Sequence, residues 1–195
     1  MAVTKTHPPK VILKAAKLGV LYFGENKVQE AENKKEAFPI KGELHLIGHL
    51  QSNKIKKALK LFHVIQTIDS YRLVEKLNKK DKEINKKQRI YCQINIGKDP
   101  NKKGFSETEF KLEISKIINL SNIKLEGIMT ILPLNKTKNE RKALFLKTKR
   151  IRDEISRRHK IPLELSMGMS QDYHEAIKYG STIIRVGSKI FGNRK

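Results

Sequence analysis

The alternation of apolar runs with helical spacings constrains this chain most. Short apolar runs recur at residues 2–5, 20–23, 44–47, 64–68, 89–96, 123–131, 163–166 and 182–186. Between them lie segments of helical spacing, at 9–18, 28–35, 53–62, 70–80, 106–120, 138–159 and 173–179. In the first of these, Val11, Ile12, Ala15, Ala16 and Leu18 fall on one helical face, Pro8 and Pro9 suit its start and Gly19 its end. Strict alternation of strand and helix implies parallel strands joined by helical crossovers. Eight such units favour closure into an α/β (β/α)8 TIM barrel, and an open doubly wound sheet is the alternative. The 195 residues fit a single domain spanning 1–195, close to the lower limit of roughly 200 residues for such barrels.

A barrel of this kind carries its site at the C-terminal ends of its strands, and the loops after strands seven and eight commonly hold phosphate. Two pieces of sequence fall there: Ser166-Met167-Gly168-Met169-Ser170 and Arg185-Val186-Gly187-Ser188. Small and hydroxyl residues after a strand let backbone N–H groups approach an anion, and Ser166, Ser170 and Ser188 add hydroxyls. The other strand ends present Lys5, Asn26 and His45. A lysine at a barrel mouth, partly desolvated and near other cations, is a nucleophile toward an aldehyde. An aldehyde that also carries a phosphate is pyridoxal 5′-phosphate, and one lysine with a separate phosphate cradle is the minimum for holding it. On this ground alone Lys5 reads equally well as one more solvated lysine near a terminus.

Composition narrows the field. The net charge of +22 suggests nucleic acid as a partner. The basic residues are spread along the chain, however, and the few aromatics do not interleave with them, so no stacking platform is visible. Weak, salt-sensitive association with polyanions is expected, and specific nucleic-acid binding is not. The one cysteine, Cys92, lies in an apolar run and is expected to be buried and inert. There is no apolar run long enough for a bilayer and no secretory leader, so a reducing, cytoplasmic setting is expected. His49, His63, His159 and His174 show no ligand spacing, and no metal site is expected. His45 reads as a donor behind the site or as a histidine satisfied by the core. Asp172 is expected to cap the helix beginning near Tyr173. Residues 81–87 read as a polar surface loop. Ser106 and Glu109 form a capping box for the helix that follows.

Four stretches carry a resemblance. Ala2-Val3-Thr4-Lys5-Thr6 resembles the signature around the cofactor lysine of the pyridoxal-phosphate homeostasis proteins. Phe23-Gly24-Glu25-Asn26 with Val28-Gln29-Glu30, and His45-Leu46-Ile47-Gly48 followed by Leu50-Gln51-Ser52-Asn53-Lys54, resemble their second and third. Ser166 to Ser170 with Asp172, then Gly180-Ser181-Thr182, Arg185-Val186-Gly187-Ser188 and Phe191-Gly192, resemble the fourth. Together and in order these are far more specific than any one alone.

The resemblance implies a barrel like the N-terminal domain of alanine racemase and related decarboxylases, without their second, β-rich domain. It implies that Lys5 forms a Schiff base with pyridoxal phosphate and that Ser166, Ser170, Gly187 and Ser188 take the phosphate. Arg185 would face the pyridine nitrogen and Asn26 would line the ring pocket. The implied role is binding, buffering and delivery of the cofactor, with transient contact to apo-enzymes that use it, by a monomer with no defined turnover reaction. A racemase or decarboxylase of the same fold is the alternative. It would need an acid/base residue that those enzymes draw from the second domain and a neighbouring subunit. Against the family pattern the front end looks shortened, since only four residues precede Lys5. That implies few ladder bonds for strand one and a barrel without its leading helix. His7 stands where a second lysine is usual, and Lys27 and Leu44 where aromatics are usual.

Overall fold

Backbone pairing turns the eight runs into one parallel sheet in sequence order, β1 to β8. The computed structural model describes residues 1–84 and 87–192. The strands are β1 (Ala2–Val3), β2 (Tyr22–Glu25), β3 (Glu43–Leu46), β4 (Val64–Ile68), β5 (Gln88–Gln93), β6 (Ile123–Met129), β7 (Glu164–Met169) and β8 (Ile183–Arg185). The helices are α1 (Pro9–Lys17), α2 (Val28–Asn33), α3 (Ile55–Leu61), α4 (Tyr71–Ile84), α5 (Glu107–Ile118), α6 (Lys138–His159), α7 (Tyr173–Lys178) and α8 (Ser188–Phe191). The sheet closes on itself where Ala2 pairs with Val186. Val3 N–H donates to Val186 O at 2.9 Å, and Val186 N–H donates to Met1 O at 3.1 Å. The expected (β/α)8 barrel is therefore the fold. β1 is short, as expected, yet it is laddered on both sides: Ala2 and Val3 also pair with Phe23 and Gly24 of β2.

The main apolar core lies between sheet and helices. It joins Ile12 of α1, Leu59 of α3, Val74 and Leu77 of α4, Phe110 and Ile114 of α5, and Phe145 of α6 to outward residues of the strands. A second, small cluster of Val64, Tyr91 and Met129 comes from β4, β5 and β6. Gly127 of β6 makes room for it, since a Cβ there would sit 2.4 Å from the Tyr91 ring. Cys92 is buried, as expected, and burial pushes its thiol pKa up.

Several boundaries differ from the periodicity. β2 runs on through Gly24 and Glu25, which read as loop, because both pair with β3. β7 likewise runs to Met169, held by β6 at Ser166 and by β8 at Met169. Lys5 lies in the turn beyond β1, not in the strand. α2 stops at Asn33, and the chain then makes a 3-10 turn at Lys35–Ala37. α4 continues to Ile84, so the stretch read as a loop from 81 begins as helix, and residues 85 and 86 lie outside the described residues. α8, a single turn after β8, has no periodic signal in four residues. The Ser106–Glu109 capping box is present. Asp172 does not cap α7 with its side chain: its Oδ1 instead accepts from Met169 N–H at 2.6 Å.

Candidate functional site

A cavity of about 480 Å³ opens at the C-terminal rim of the barrel. Lys5, Asn26, Ser170, Arg185, Gly187 and Ser188 all line it. They arrive from β1, β2, β7 and β8, up to 183 positions apart in sequence, because parallel strands deliver all their C-terminal ends to one rim. Ser166 does not line it. It sits within β7, fully buried, where its hydroxyl donates to Gln66 Oε1 and accepts from Arg185 Nη1, both at 2.7 Å. Ser166, expected to take phosphate, thus has its hydroxyl engaged by Gln66 and Arg185.

The Lys5 turn is held from three sides. Thr4 Oγ1 donates to Glu25 Oε1 at 2.7 Å, Lys34 Nζ donates to Thr4 O at 3.0 Å, and Thr6 N–H donates to Glu30 Oε1. Lys34 also bridges the two carboxylates, at 3.2 Å to Glu25 and 2.6 Å to Glu30. This grip keeps Thr6 at φ 67°, a left-handed conformation that a β-branched residue rarely takes. Glu25 is fully buried and its Oε2 has no hydrogen-bond partner among the described residues; burial pushes its carboxyl above the usual range. Burial acts the same way on Glu30, but hydrogen bonds from Lys34 and Thr6 outweigh it and hold its carboxyl low. Sequence reasoning missed Thr4, Lys34 and the roles of Glu25 and Glu30. The i,i+4 spacing of Glu30 and Lys34 was the available signal.

Across the cavity, Gly187 packs against β1. A Cβ there would stand 3.2 Å from Val3 O. The late loop and the Lys5 strand are thus in direct contact. Ser170 Oγ accepts from Gly187 N–H at 3.4 Å and ties the two late loops together. Gly48 shapes the wall by Asn26: a Cβ on it would lie 2.1 Å from Asn26 O.

Arg185 forms the floor. It is buried, its Nη2 donates to Thr130 O at 2.8 Å, and no carboxylate among the described residues lies within ion-pair distance of it. Burial lowers its pKa to about 10, so it remains a cation at neutral pH. A buried guanidinium that has no ion-pair partner among the described residues, and feels only the more distant charge of Asp172, can meet an acceptor brought by a ligand. Further titratable groups line the cavity: Arg141 grips Glu175 bidentately at 2.6 and 3.0 Å, Lys136 bonds Glu140 at 2.8 Å, and Asp172 holds Met169 N–H. One amine, one guanidinium and a hydroxyl-bearing pair of loops fit an aldehyde, a ring acceptor and a phosphate.

His45 is not at the mouth. It lies in the middle of β3 and is buried, and burial lowers its pKa to about 4, leaving it neutral. His7 packs on Phe191 of α8, with ring centroids 5.0 Å apart. Among the described residues no cluster of histidine, cysteine and carboxylate could hold a metal, and no helix is long and apolar enough to cross a membrane.

Comparison with known proteins bears on this geometry. The sequence profile of the alanine racemase N-terminal domain matches residues 1–195. The pyridoxal phosphate homeostasis protein of Synechocystis is 39% identical over all of this chain and 90% of its own length. The human protein of that name is 34% identical over all of this chain and 76% of its own. PipY of Synechococcus elongatus, solved with pyridoxal phosphate bound, superposes with a TM-score of 0.91 at 36% identity, covering 98% of this chain and 91% of PipY. Alanine racemase of Clostridium difficile shares the fold, at 17% identity and a TM-score of 0.82 over 52% of its length.

Proposed function

We propose, from the premise that this chain belongs to the alanine racemase N-terminal domain family and within it to the pyridoxal phosphate homeostasis proteins, that it binds pyridoxal 5′-phosphate and serves the cell as a carrier of that cofactor. The observation that carries the proposal is the single cavity shared by Lys5, Arg185, Gly187 and Ser188. PipY, solved with the cofactor bound, supports it through the likeness of the whole chain.

The residues divide the work by chemistry. Lys5 would hold the cofactor's aldehyde through its amine. Ser170, Ser188 and the backbone of Gly187 would take the phosphate, and Asn26 would line the ring. Arg185 offers only donors, so it can hydrogen bond a ring nitrogen but cannot protonate it under ordinary conditions. The bound group supplies an electron sink, and an unprotonated ring makes that sink weak. Carrying without turnover is further supported by the engaged state of Arg141, Lys136 and Asp172, which leaves no obvious acid/base partner at the cavity among the described residues. The delivery partners are apo-enzymes that use the cofactor.

The test is spectroscopic. Adding pyridoxal 5′-phosphate to the purified protein gives a visible absorbance band, and borohydride fixes the adduct on the Lys5 peptide, found by mass. Lys5→Ala abolishes both. A protein that never acquires the band, or an adduct on another lysine, defeats the proposal. Incubation with L-alanine yields no D-alanine; steady formation of D-alanine would restore the racemase alternative.

A further inference from the structure

A line of side chains crosses the barrel interior from Arg185 at the cavity floor to the opposite end. Arg185 Nη1 donates to Ser166 Oγ at 2.7 Å. Ser166 Oγ donates to Gln66 Oε1 at 2.7 Å. The Gln66 amide meets His45 Nδ1 at 2.9 Å, and His45 Nε2 meets Glu43 Oε2 at 3.3 Å. Arg89 then donates to Glu43 Oε1 at 2.8 Å and to Glu126 Oε2 at 2.7 Å. His45, Gln66, Ser166 and Arg185 are all buried, and they come from β3, β4, β7 and β8.

The ends of this line fix its direction. A guanidinium has no acceptor, so Ser166 must accept from Arg185. The one serine hydrogen then goes to Gln66 Oε1. That turns the Gln66 NH₂ toward His45, which forces Nδ1 to accept and puts the ring hydrogen on Nε2, facing Glu43. A carboxylate has no donor, so the line ends there. Each member therefore donates to the next, and reversing any one leaves a buried donor facing a donor. The charged and titratable neighbours of His45 are Glu43, Arg89 and His63, and the ring of Tyr22 stands 5.9 Å away edge-on.

We propose that Gln66 and His45 are positioning residues for Arg185: their one-way hydrogen-bond line fixes the direction of its guanidinium at the cofactor cavity. A polar residue in the middle of the apolar run of β4, fully buried and facing inward, is otherwise an expense to the fold. The line makes it the second support of the only buried guanidinium at the cavity among the described residues.

Two measurements test this, the first without cofactor. In the cofactor-free protein the ¹⁵N resonances of His45 show a neutral ring with the hydrogen on Nε2. Arg185→Met shifts them, and in a Gln66→Leu background the same change does not. Unshifted resonances, or an equal shift in both backgrounds, overturn the line. The second measurement rests on the cofactor proposal above. Gln66→Leu weakens pyridoxal 5′-phosphate binding roughly tenfold and moves the visible band, because a misdirected donor misplaces the ring. Ile65→Val, a core change on the neighbouring position of β4, keeps the parent affinity and band. Equal affinities in Gln66→Leu and Ile65→Val overturn the positioning role. Should Gln66→Leu not fold, Ser166→Ala breaks the same line by one atom and is read in the same way. A parent protein that binds no cofactor defeats the cofactor proposal alone, and the His45 resonances still decide the line.

Discussion

Lys34 anchors the turn that carries Lys5. Its ammonium is buried, reaches Thr4 O, and pairs with both Glu25 and Glu30. Removing one partner of a buried pair leaves the other charge uncompensated, at a cost of about 3 kcal/mol or more. Lys34→Met therefore destabilises the protein by about 3 kcal/mol at pH 7.5 in urea unfolding. The sign with pH follows from Glu25, whose folded pKa is already raised by burial and rises further without Lys34. A carboxyl that binds its proton more tightly when folded regains stability as pH falls toward the ordinary carboxylate range. The gap to the parent thus narrows at pH 5; a constant gap would place the loss in packing instead. In one dimension only the i,i+4 spacing of Glu30 and Lys34 hinted at this. Lys34 is one of many lysines in the chain, and only the folded turn shows that it is buried among carboxylates.

At the scale of elements, ends decide stability as much as middles. α6 begins with a capping box: Thr137 Oγ1 accepts from Glu140 N–H and the Glu140 carboxylate accepts from Thr137 N–H. It closes on Arg157 and Arg158, cations at the negative end of the helix dipole, before Lys160 turns left-handed at φ 54°. Thr137→Ala costs about 1 kcal/mol, read as a lower urea midpoint with cofactor affinity unchanged. α6 and β4 have the bounds that periodicity assigned them, 138–159 and 64–68, because each is long or apolar enough to specify itself. β7 does not. Ser166-Met167-Gly168-Met169 looks like a loop because small residues look alike in strands and turns. The partners on β6 and β8 settle it as strand, and a Cβ at Gly168 would meet Ala176 Cβ at 2.5 Å, where α7 crosses close.

For the whole molecule, the polar line through the barrel ties stability to pH. His45 is neutral inside the fold, with a pKa of about 4 against an ordinary 6.5. The unfolded chain binds the extra proton first, so stability is full above pH 6.5 and falls as the pH drops from there toward 4. The loss from this group is on the order of 3 kcal/mol. Thermal midpoints measured from pH 7.5 to pH 4.5 decline through that window, and His45→Gln flattens the decline. An equal decline in the variant would assign the acid sensitivity to other groups.

The sequence alone determined the alternation of strand and helix, and with it parallel strands in an order that favours a barrel, because local periodicity and turn chemistry are written residue by residue. It also determined six of the residues around the cavity, since parallel strands send every C-terminal end to one rim. Only the tertiary structure decided which neighbours hold those residues in place. Thr4, Glu25, Glu30 and Lys34 grip one side of the cavity, and Ser166, Gln66 and His45 support the other, through contacts across as many as 100 positions of chain. Such contacts depend on register and on which face of a strand is buried, and both are set only when the barrel closes.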